Sequence, residues 1–247
     1  MNNMKKTLST LCLAFLFWGM AHAQQRQTDI FKTKSGKEIK FTCIKHATFQ
    51  IEYDGRYFYV DPVTTLKPQT DYTVMPRANY IFITHEHADH FDRMALTQLV
   101  TTNTIVFTNY NVSQQYRNAR VLQNGDSIVI ADDVTLKAVP AYNYSAGRTQ
   151  YHPKGRDNGY ILTIDGFRIY VAGDTEDIPE MADIHDIDIA FLPCNQPYTM
   201  TVEQLAKAAK TIKPKVLFPY HYNDTPVNKA KLLLGGTGID VRIRNYQ

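Results

Sequence analysis

Residues 80–90 read Tyr80-Ile81-Phe82-Ile83-Thr84-His85-Glu86-His87-Ala88-Asp89-His90, an apolar run followed at once by three histidines and two carboxylates. The apolar run predicts a strand. In an extended chain alternate residues face the same way, so His85 and His87 would point together, and Asp89 and His90 would turn back from the following loop. Imidazole and carboxylate suit zinc, manganese or iron, and the absence of a clustered cysteine pair argues against a closed structural zinc site. The stretch predicts a site for one or two divalent metal ions, with zinc as our first expectation.

The start of the chain has the pattern of a secretory signal peptide. Lys5 and Lys6 precede an apolar stretch at residues 8–20, and Ala21-His22-Ala23 has the small-x-small form of a signal-peptidase site. The stretch is shorter than the roughly 20 residues that span a bilayer, so we expect no stable membrane insertion. We expect cleavage after Ala23 and a secreted, periplasmic or extracellular protein.

Residues 24–247 have a length that favours one domain. Loss of Lys5 and Lys6 lowers the formal net charge from +3 to +1, because no acidic residue leaves with them. A nucleic-acid partner usually needs a concentrated basic face, so none is expected. Cys43 and Cys194 could pair in an oxidising compartment, but two separately buried thiols are the interpretation we prefer.

Hairpin signals and helical patterns divide this domain. Asp54-Gly55 and Asp165-Gly166 each separate two strand-like runs, which predicts tight turns. Thr201 and Gln204 make a capping box ahead of an apolar helix face. The runs that predict strands are residues 39–53, 56–60, 79–83, 104–107, 127–131, 135–139, 159–164, 168–172, 216–219 and 240–243. The runs that predict helices are residues 92–101, 112–118, 201–212 and 228–234.

Two further metal-ligand candidates follow predicted strands. Asp174 comes after the strand at residues 168–172 and Gly173, and His221 comes after the strand at residues 216–219. Functional side chains collect in loops at strand ends. A carboxylate can bridge two cations about 3.5 to 4 Å apart, as two-metal hydrolases require, so Asp174 is a candidate bridge.

The chain resembles the metallo-β-lactamase superfamily, and more closely its branch of predicted metal-dependent hydrolases related to ascorbate-6-phosphate lactonase. The 84–90 run is the most specific of the matching pieces, which cover most of the mature domain. The pieces are His46-Ala47-Thr48-Phe49, Asp61-Pro62, Thr84-His85-Glu86-His87-Ala88-Asp89-His90, Ala172-Gly173-Asp174-Thr175, Phe191-Leu192-Pro193 with Thr199-Met200, and Pro219-Tyr220-His221-Tyr222-Asn223.

This resemblance implies an α/β (α+β) fold, a four-layer αββα sandwich with the metal site along one edge. It assigns His85 and His87 to a first ion and makes Asp174 the bridge. It assigns three ligands to a second ion, namely Asp89, His90 and His221. It implies roles beside the metal site or toward the substrate for three further residues, namely Asp61, which would orient the metal-bearing loop, His46 and Asn195.

One histidine of the family pattern is missing. Relatives commonly carry a further histidine after the strand that corresponds to residues 135–139, where this chain reads Pro140-Ala141-Tyr142-Asn143-Tyr144. Asn143 could supply an oxygen ligand, or His152 could replace the missing imidazole, or the first site could stay weak. We favour His152, because imidazole is the better ligand for zinc-like ions.

The predicted chemistry is hydrolysis by a metal-bound hydroxide. Metal coordination lowers the pKa of a bound water from 15.7 to roughly 7. Asp89 would orient that water or accept its proton, so it is the predicted catalytic residue. The predicted target is an ester-like bond, in a lactone, a phosphodiester or a related group. Lactamase activity ranks lower, because a superfamily name alone does not transfer chemistry.

The substrate would be a small molecule. The loop at residues 142–158 could receive an anionic one, since Arg148, Lys154 and Arg156 lie there among tyrosines. The alternative to an enzyme is a catalytically weakened metal-binding module of the same fold. The missing histidine motivates that alternative.

Overall fold

Hairpins build the first half of the chain in the computed structural model, which describes residues 26–246. The predicted signal peptide, residues 1–23, lies outside this range. The first sheet has seven strands in sequence order, antiparallel from β1 to β4 and parallel from β4 to β7. The strands are β1 (Thr28–Lys32), β2 (Glu38–Lys45), β3 (Thr48–Tyr53), β4 (Arg56–Val60), β5 (Tyr80–Phe82), β6 (Ile105–Thr108) and β7 (Ala119–Val121).

The second sheet repeats this plan. Its seven strands also lie in sequence order, antiparallel from β8 to β11 and parallel from β11 to β14. The strands are β8 (Ser127–Ala131), β9 (Val134–Ala141), β10 (Asp157–Ile164), β11 (Phe167–Val171), β12 (Ile189–Pro193), β13 (Val216–Tyr220) and β14 (Asp240–Val241). The predicted turns at Asp54-Gly55 and Asp165-Gly166 join β3 to β4 and β10 to β11.

The helices begin where the sequence offers caps. Asp92 and Asn109 cap α1 and α2 by accepting from the backbone N–H of Met94 and Val112. Thr201 and Gln204 form the predicted capping box of α3, each side chain accepting from the other's backbone N–H at 3.0 and 2.9 Å. The helices are α1 (Arg93–Leu99), α2 (Tyr110–Gln115), α3 (Val202–Ile212) and α4 (Lys229–Leu233), with a 3-10 turn at Pro179–Asp183.

Three buried clusters arrange these elements in four layers. The central cluster fills the space between the sheets, where the rings of Phe49 and Phe191 stack at 3.9 Å between centroids. A second cluster packs α3 and α4 on the outer face of the second sheet, and a third packs α1 and α2 on the outer face of the first. Apolar burial on both faces of each sheet is what holds such layers together. The predicted αββα sandwich is confirmed.

The predicted run at residues 39–53 is in fact two antiparallel strands, β2 and β3, and three other strands were not predicted from the sequence. The first and the seventh, β1 and β7, are short edge segments with partly exposed side chains. In contrast, β12 is buried along its whole length. An unbroken apolar run has no alternation, and periodicity therefore does not distinguish it from a buried helix.

Cys43 and Cys194 are free and separately buried, as we expected. Burial raises the pKa of each thiol to about 12, so neither is a reactive thiolate at neutral pH. Within residues 26–246, no helix has the length and apolar character needed to cross a bilayer.

Candidate metal centre

The predicted ligands gather at one edge of the sandwich, because the chain delivers them from strand ends that share that edge. Asp61 follows β4, His85 follows β5, Asp174 follows β11, Asn195 follows β12 and His221 follows β13. These strands run parallel within each sheet from β4 to β5 and from β11 to β13, so their carboxyl ends meet at the same side. The edge is therefore the natural place for a site.

The first group of ligand-type side chains consists of His85, His87 and His152. One ring nitrogen from each lies within 4.8 Å of the others. The ring centroids of His85 and His87 are 4.5 Å apart, and each lies 4.9 Å from that of His152. Three imidazoles at this spacing match the protein ligands of a catalytic zinc site.

The second group consists of His46, Asp89, His90 and His221, whose ligand atoms also lie within 4.8 Å of one another. His46 Nε2 is 3.0 Å from Asp89 Oδ2, and its ring centroid is 3.8 Å from that of His221. The sequence predicted the last three as ligands and His46 as a neighbour. In the structure, His46 lies as close to these three residues as they lie to one another.

Asp174 lies between the two groups. Its carboxylate oxygens are 3.4 Å from His152 Nε2 in the first group, and 3.2 and 3.3 Å from His90 Nε2 and His221 Nε2 in the second. Gly173 sets this position with a φ of +67°, and a Cβ there would come within 2.8 Å of the Asn158 carbonyl oxygen. Only glycine fits the turn that brings Asp174 inward.

Asp61 supports the histidine cluster from behind. Its buried carboxylate accepts hydrogen bonds from the backbone N–H and the hydroxyl of Thr84 at 2.8 and 2.7 Å. Its Oδ2 also accepts from His90 Nδ1 at 2.8 Å. That contact directs the opposite nitrogen, Nε2, toward Asp174, which is how carboxylates orient metal-ligating histidines. The predicted orienting role of Asp61 has this geometric basis.

His152 receives the same kind of support from Asp157. Asp157 Oδ2 is 2.9 Å from His152 Nδ1, which leaves Nε2 facing the site, and Arg156 donates to both oxygens of the same carboxylate. Asn143, the other candidate for the missing ligand, donates its side-chain amide to the Tyr198 carbonyl at 2.7 Å. Its backbone N–H donates to the His152 carbonyl at 2.8 Å. Asn143 therefore holds the loop on which His152 enters.

Several buried polar atoms of these groups have no hydrogen-bond partner among the described residues. They are His85 Nε2, His90 Nε2, Asp174 Oδ1 and both ring nitrogens of His221. Buried polar atoms in proteins are nearly always paired, so a concentration of unpaired nitrogens beside a carboxylate indicates groups that bind something else. Nitrogen and carboxylate oxygen are donors that zinc, iron and manganese accept, and the residues fit a metal centre.

The electrostatic field at this edge attracts positive charge. Burial alone would lower the pKa of His90 and His221, but Asp174 and Asp89 outweigh it; the pKa of His90 rises well above its usual value and that of His221 to about 9. Conversely, burial and the charge on His90 hold the pKa of His85 well below its usual value. Protons and metal ions compete for such nitrogens, so acid weakens metal binding.

A cavity of about 320 Å³ opens onto both groups. Its volume is in the usual range for small-molecule sites. Asn195, a predicted pocket residue, lines this cavity, and so do Tyr151 and Tyr198, whose rings meet edge to face with centroids 5.0 Å apart. The cavity thus has a polar floor of ligand-type groups and an aromatic wall.

The loop cations predicted to receive an anionic substrate are all paired within the protein. Arg148 contacts Glu176 at 3.2 Å, and Lys154 contacts Glu180 at 2.7 Å. Arg156 contacts Asp157 at 2.7 Å. A cation that already faces a carboxylate offers little net charge to a ligand.

Two acidic residues near the site were missed by sequence reasoning. Asp157 is the first residue of β10 and follows Arg156 directly. From the sequence, the two look like an ordinary surface ion pair. Glu86 lies inside the histidine run, yet its carboxylate accepts from the side chains of Asn109 and Asn111 and contacts Arg156 at 3.3 Å. Glu86 thereby joins the metal-bearing loop to α2. No local pattern distinguishes these partners from solvated charges.

The sequence matches a known protein family and several relatives. The family described as "Beta-lactamase superfamily domain" matches residues 40–221. A UPF0173 metal-dependent hydrolase from Carboxydothermus hydrogenoformans is 33% identical over 202 residues, which cover 78% of this chain and 88% of that protein.

Solved structures are similar over most of the chain. A Parabacteroides distasonis protein assigned as a metal-dependent hydrolase is 53% identical with a TM-score of 0.87, over 90% of this chain and 100% of that one. A metallo hydrolase from the archaeon Ignicoccus hospitalis is 26% identical with a TM-score of 0.70, over 84% of this chain and 95% of that one.

Proposed function

This chain belongs to the beta-lactamase superfamily and is a metal-dependent hydrolase, and we propose that it cleaves an ester-like bond of a small molecule with water as the nucleophile. The bond belongs to a lactone, a phosphodiester or a related group. The observation that carries this proposal is that histidines of both groups lie within 3.4 Å of the Asp174 carboxylate, at the floor of a cavity.

The proposed centre holds two divalent ions, with zinc first and manganese or iron as alternatives. His85, His87 and His152 would hold one ion. Asp89, His90 and His221 would hold the other, with His46 beside them and Asp174 shared. Bound divalent ions supply a water that is acidic enough to ionise near neutral pH, and they polarise the oxygen of the bond under attack.

Asp89 is the group that would direct this water. Its side chain is 35% exposed and lines the cavity, whereas that of Asp174 is 3% exposed. Burial would raise the pKa of Asp89, but the neighbouring histidines lower it well below its usual value. A carboxylate at this place would orient the water or accept its proton.

Asn195 and the two tyrosines would receive the substrate. The side-chain amide of Asn195 is at the cavity, and its backbone is fixed by Thr199, whose hydroxyl accepts from the Asn195 N–H at 2.7 Å. Tyr151 and Tyr198 would pack against an apolar part of the molecule and exclude water from it. The grouping of His152 with His85 and His87 supports the enzyme over the alternative of a metal-binding module without catalysis.

Turnover tests this proposal. A panel of lactones, phosphodiesters and aryl esters should show hydrolysis that disappears with a chelator and returns with added metal. Asp89→Ala should abolish it, with the remaining ligands retaining most of the metal. An Asp89→Ala protein with full activity and normal metal content would overturn the role of Asp89, and hydrolysis that is indifferent to chelator would overturn the proposed chemistry.

We also propose that the enzyme acts outside the cytoplasm. The support is the signal-peptide pattern of residues 1–23. Fractionation of expressing cells, with N-terminal sequencing of the recovered protein, should find a mature chain that begins at Gln24. An intact chain in the cytoplasmic fraction would contradict this.

A further inference from the structure

A second cavity, of about 430 Å³, adjoins the metal-centre cavity and shares His46, Asp89 and Asn223 with it. We call it the lysine cavity. Its other lining residues are Lys45, Leu66, Lys67, Tyr222 and Tyr246. A molecule whose reacting bond lies at the metal centre can therefore extend into the lysine cavity with its other end.

Lys45 is a buried cation without a carboxylate partner among the described residues. The residue is 3% exposed, and its ammonium donates to the backbone carbonyls of Leu66 and Pro68. An ammonium group has three N–H donors, so one donor is left over. Burial lowers the pKa of Lys45, and the nearby charge of Arg26 lowers it further.

Lys67 lies between the two carbonyls that Lys45 holds. Its side chain is exposed at the cavity and has no ion pair or hydrogen bond within residues 26–246. The loop that carries it is fixed at its start, where the Thr64 N–H donates to Asp92 Oδ2 at 2.7 Å. Lys67 is thus an unpaired cation held at the rim of the cavity.

Among residues 26–246, Asp89 is the one carboxylate that lines the lysine cavity, and histidines already face it. Its Oδ2 is 3.0 Å from His46 Nε2 and 3.4 Å from His221 Nε2. The lysines are therefore not neutralised by the cavity's own acid. The contrast is with Lys154 on the 142–158 loop, which pairs with Glu180 at 2.7 Å.

We propose that the lysine cavity binds an anionic oxyacid group of the substrate, a carboxylate or a phosphate, and that Lys67 contacts it. Lys45 holds the loop and adds positive potential. Asn223 adds a donor, because His46 Nδ1 faces its Oδ1 at 3.2 Å and its amide nitrogen has no hydrogen-bond partner in the described part of the chain. This inference rests on the proposed function, since it places the reacting bond at the adjacent metal centre.

The first test compares two esters on the metal-loaded mature protein. 4-Nitrophenyl acetate is neutral, and mono-4-nitrophenyl succinate carries a carboxylate on the same kind of ester. Lys67→Ala should raise the KM of the succinate ester relative to that of the acetate ester about fivefold, and Lys67→Glu should raise it further. Lys154→Ala, which removes the same charge from a paired lysine, should leave the ratio unchanged.

The second test measures binding without turnover. Isothermal titration calorimetry with succinate and with glycerol 3-phosphate identifies which ligand binds more tightly, and so whether the site prefers a carboxylate or a phosphate. Lys67→Ala should lower the affinity for that ligand about fivefold. Lys154→Ala should not change either affinity. Equal effects of the Lys67 and Lys154 variants, or no effect of either, would overturn the inference.

The two proposals fail separately. Both esters could be hydrolysed in a metal-dependent manner while the KM ratio and the anion affinities stay unchanged in the Lys67 variants. That result would overturn the anion-binding role of the lysine cavity and leave the proposed function intact. Anion binding that depends on Lys67, with neither ester hydrolysed in a metal-dependent manner, would support the cavity and count against the proposed hydrolysis.

Discussion

At the scale of single residues, Asp157 supports the first group of ligand-type side chains without belonging to it. It accepts from His152 at 2.9 Å and from Arg156 at 2.7 Å, and all three side chains lie at or just behind the site. The carboxylate fixes the ring of His152 so that Nε2 faces Asp174. Such outer partners set the orientation and the basicity of a ligand that they do not themselves replace.

Asp157→Asn should therefore weaken metal binding and leave the fold in place. We expect a loss of about tenfold or more in the affinity for the weaker-bound ion, because the amide no longer orients the imidazole. Competition with a chromophoric chelator measures this directly.

The matched control is Asp133→Asn. Asp133 pairs with Arg56 through both oxygens, at 2.8 and 2.6 Å, but contacts no histidine of the site. Unchanged metal affinity is expected for this variant. Equal losses in the two variants would mean that Asp157 acts only through general stability.

The residues of the site differ in how far the sequence could predict them. His85, His87, Asp89 and His90 lie within six residues of each other, so their chemistry is visible as a local pattern. His152 stayed one of two candidates, because its approach depends on a hydrogen bond between its carbonyl and Asn143. Long-range partners of this kind leave no trace in spacing.

At the scale of elements, the turn after β11 sets the position of the Asp174 carboxylate, the proposed bridge. Gly173→Ala should lower the free energy of unfolding by about 2 kcal/mol, because the new Cβ collides with the Asn158 carbonyl and alanine resists the positive φ. The shift of Asp174 should also lower metal content. Urea unfolding and elemental analysis measure the two effects.

Gly36→Ala separates the collision from the backbone strain. Gly36 has a φ of +87° in the turn between β1 and β2, and a Cβ there would meet nothing within 4 Å. It should cost only about 1 kcal/mol, from the left-handed conformation alone. Normal metal content is expected. Equal losses of unfolding free energy and equal metal content in Gly173→Ala and Gly36→Ala would show that the contact with the Asn158 carbonyl affects neither stability nor metal binding.

The elements themselves were predictable where local chemistry decides them. The Asp-Gly turns and the capping box of α3 form as expected, since turn and cap geometry depend on a few neighbouring residues. The strand β12, which pairs with its chain neighbours β11 and β13, was missed. Its burial on both faces removes the alternation that identifies a strand.

At the scale of the whole molecule, the two ends of the described chain are joined by charge. Asp29 on β1 accepts hydrogen bonds from Arg242 and Arg244, both at 2.8 Å. Burial would raise the pKa of Asp29, but the two arginines outweigh it and lower that pKa below its usual value. A lowered pKa in the folded state stabilises the fold above the pKa of the unfolded state, and this contribution is lost as the pH falls through the folded value.

Asp29→Asn should therefore destabilise the protein at neutral pH and reduce the pH dependence of its stability. Between about pH 6 and pH 3, the free energy of unfolding should fall less in the variant than in the wild type, because one depressed carboxyl no longer takes up a proton. Denaturant unfolding at a series of pH values tests this. Parallel curves for the two proteins would show that the Asp29 pairing does not stabilise the fold.

The arrangement of the two sheets explains why one edge carries the chemistry. Each sheet runs antiparallel and then parallel, so the carboxyl ends of β4, β5, β11, β12 and β13 come together. The loops that leave this edge supply the candidate ligands. This edge is therefore where the proposed two-ion centre, shared by Asp174, would lie.

Metal content per protein is the measurement that tests this most directly. Elemental analysis of purified mature protein should give two equivalents of divalent metal, and the His152→Ala variant should give one, because one group of histidines loses its third imidazole. One equivalent in the wild type that is unchanged in His152→Ala would contradict the two-ion centre and the role of His152 as a ligand.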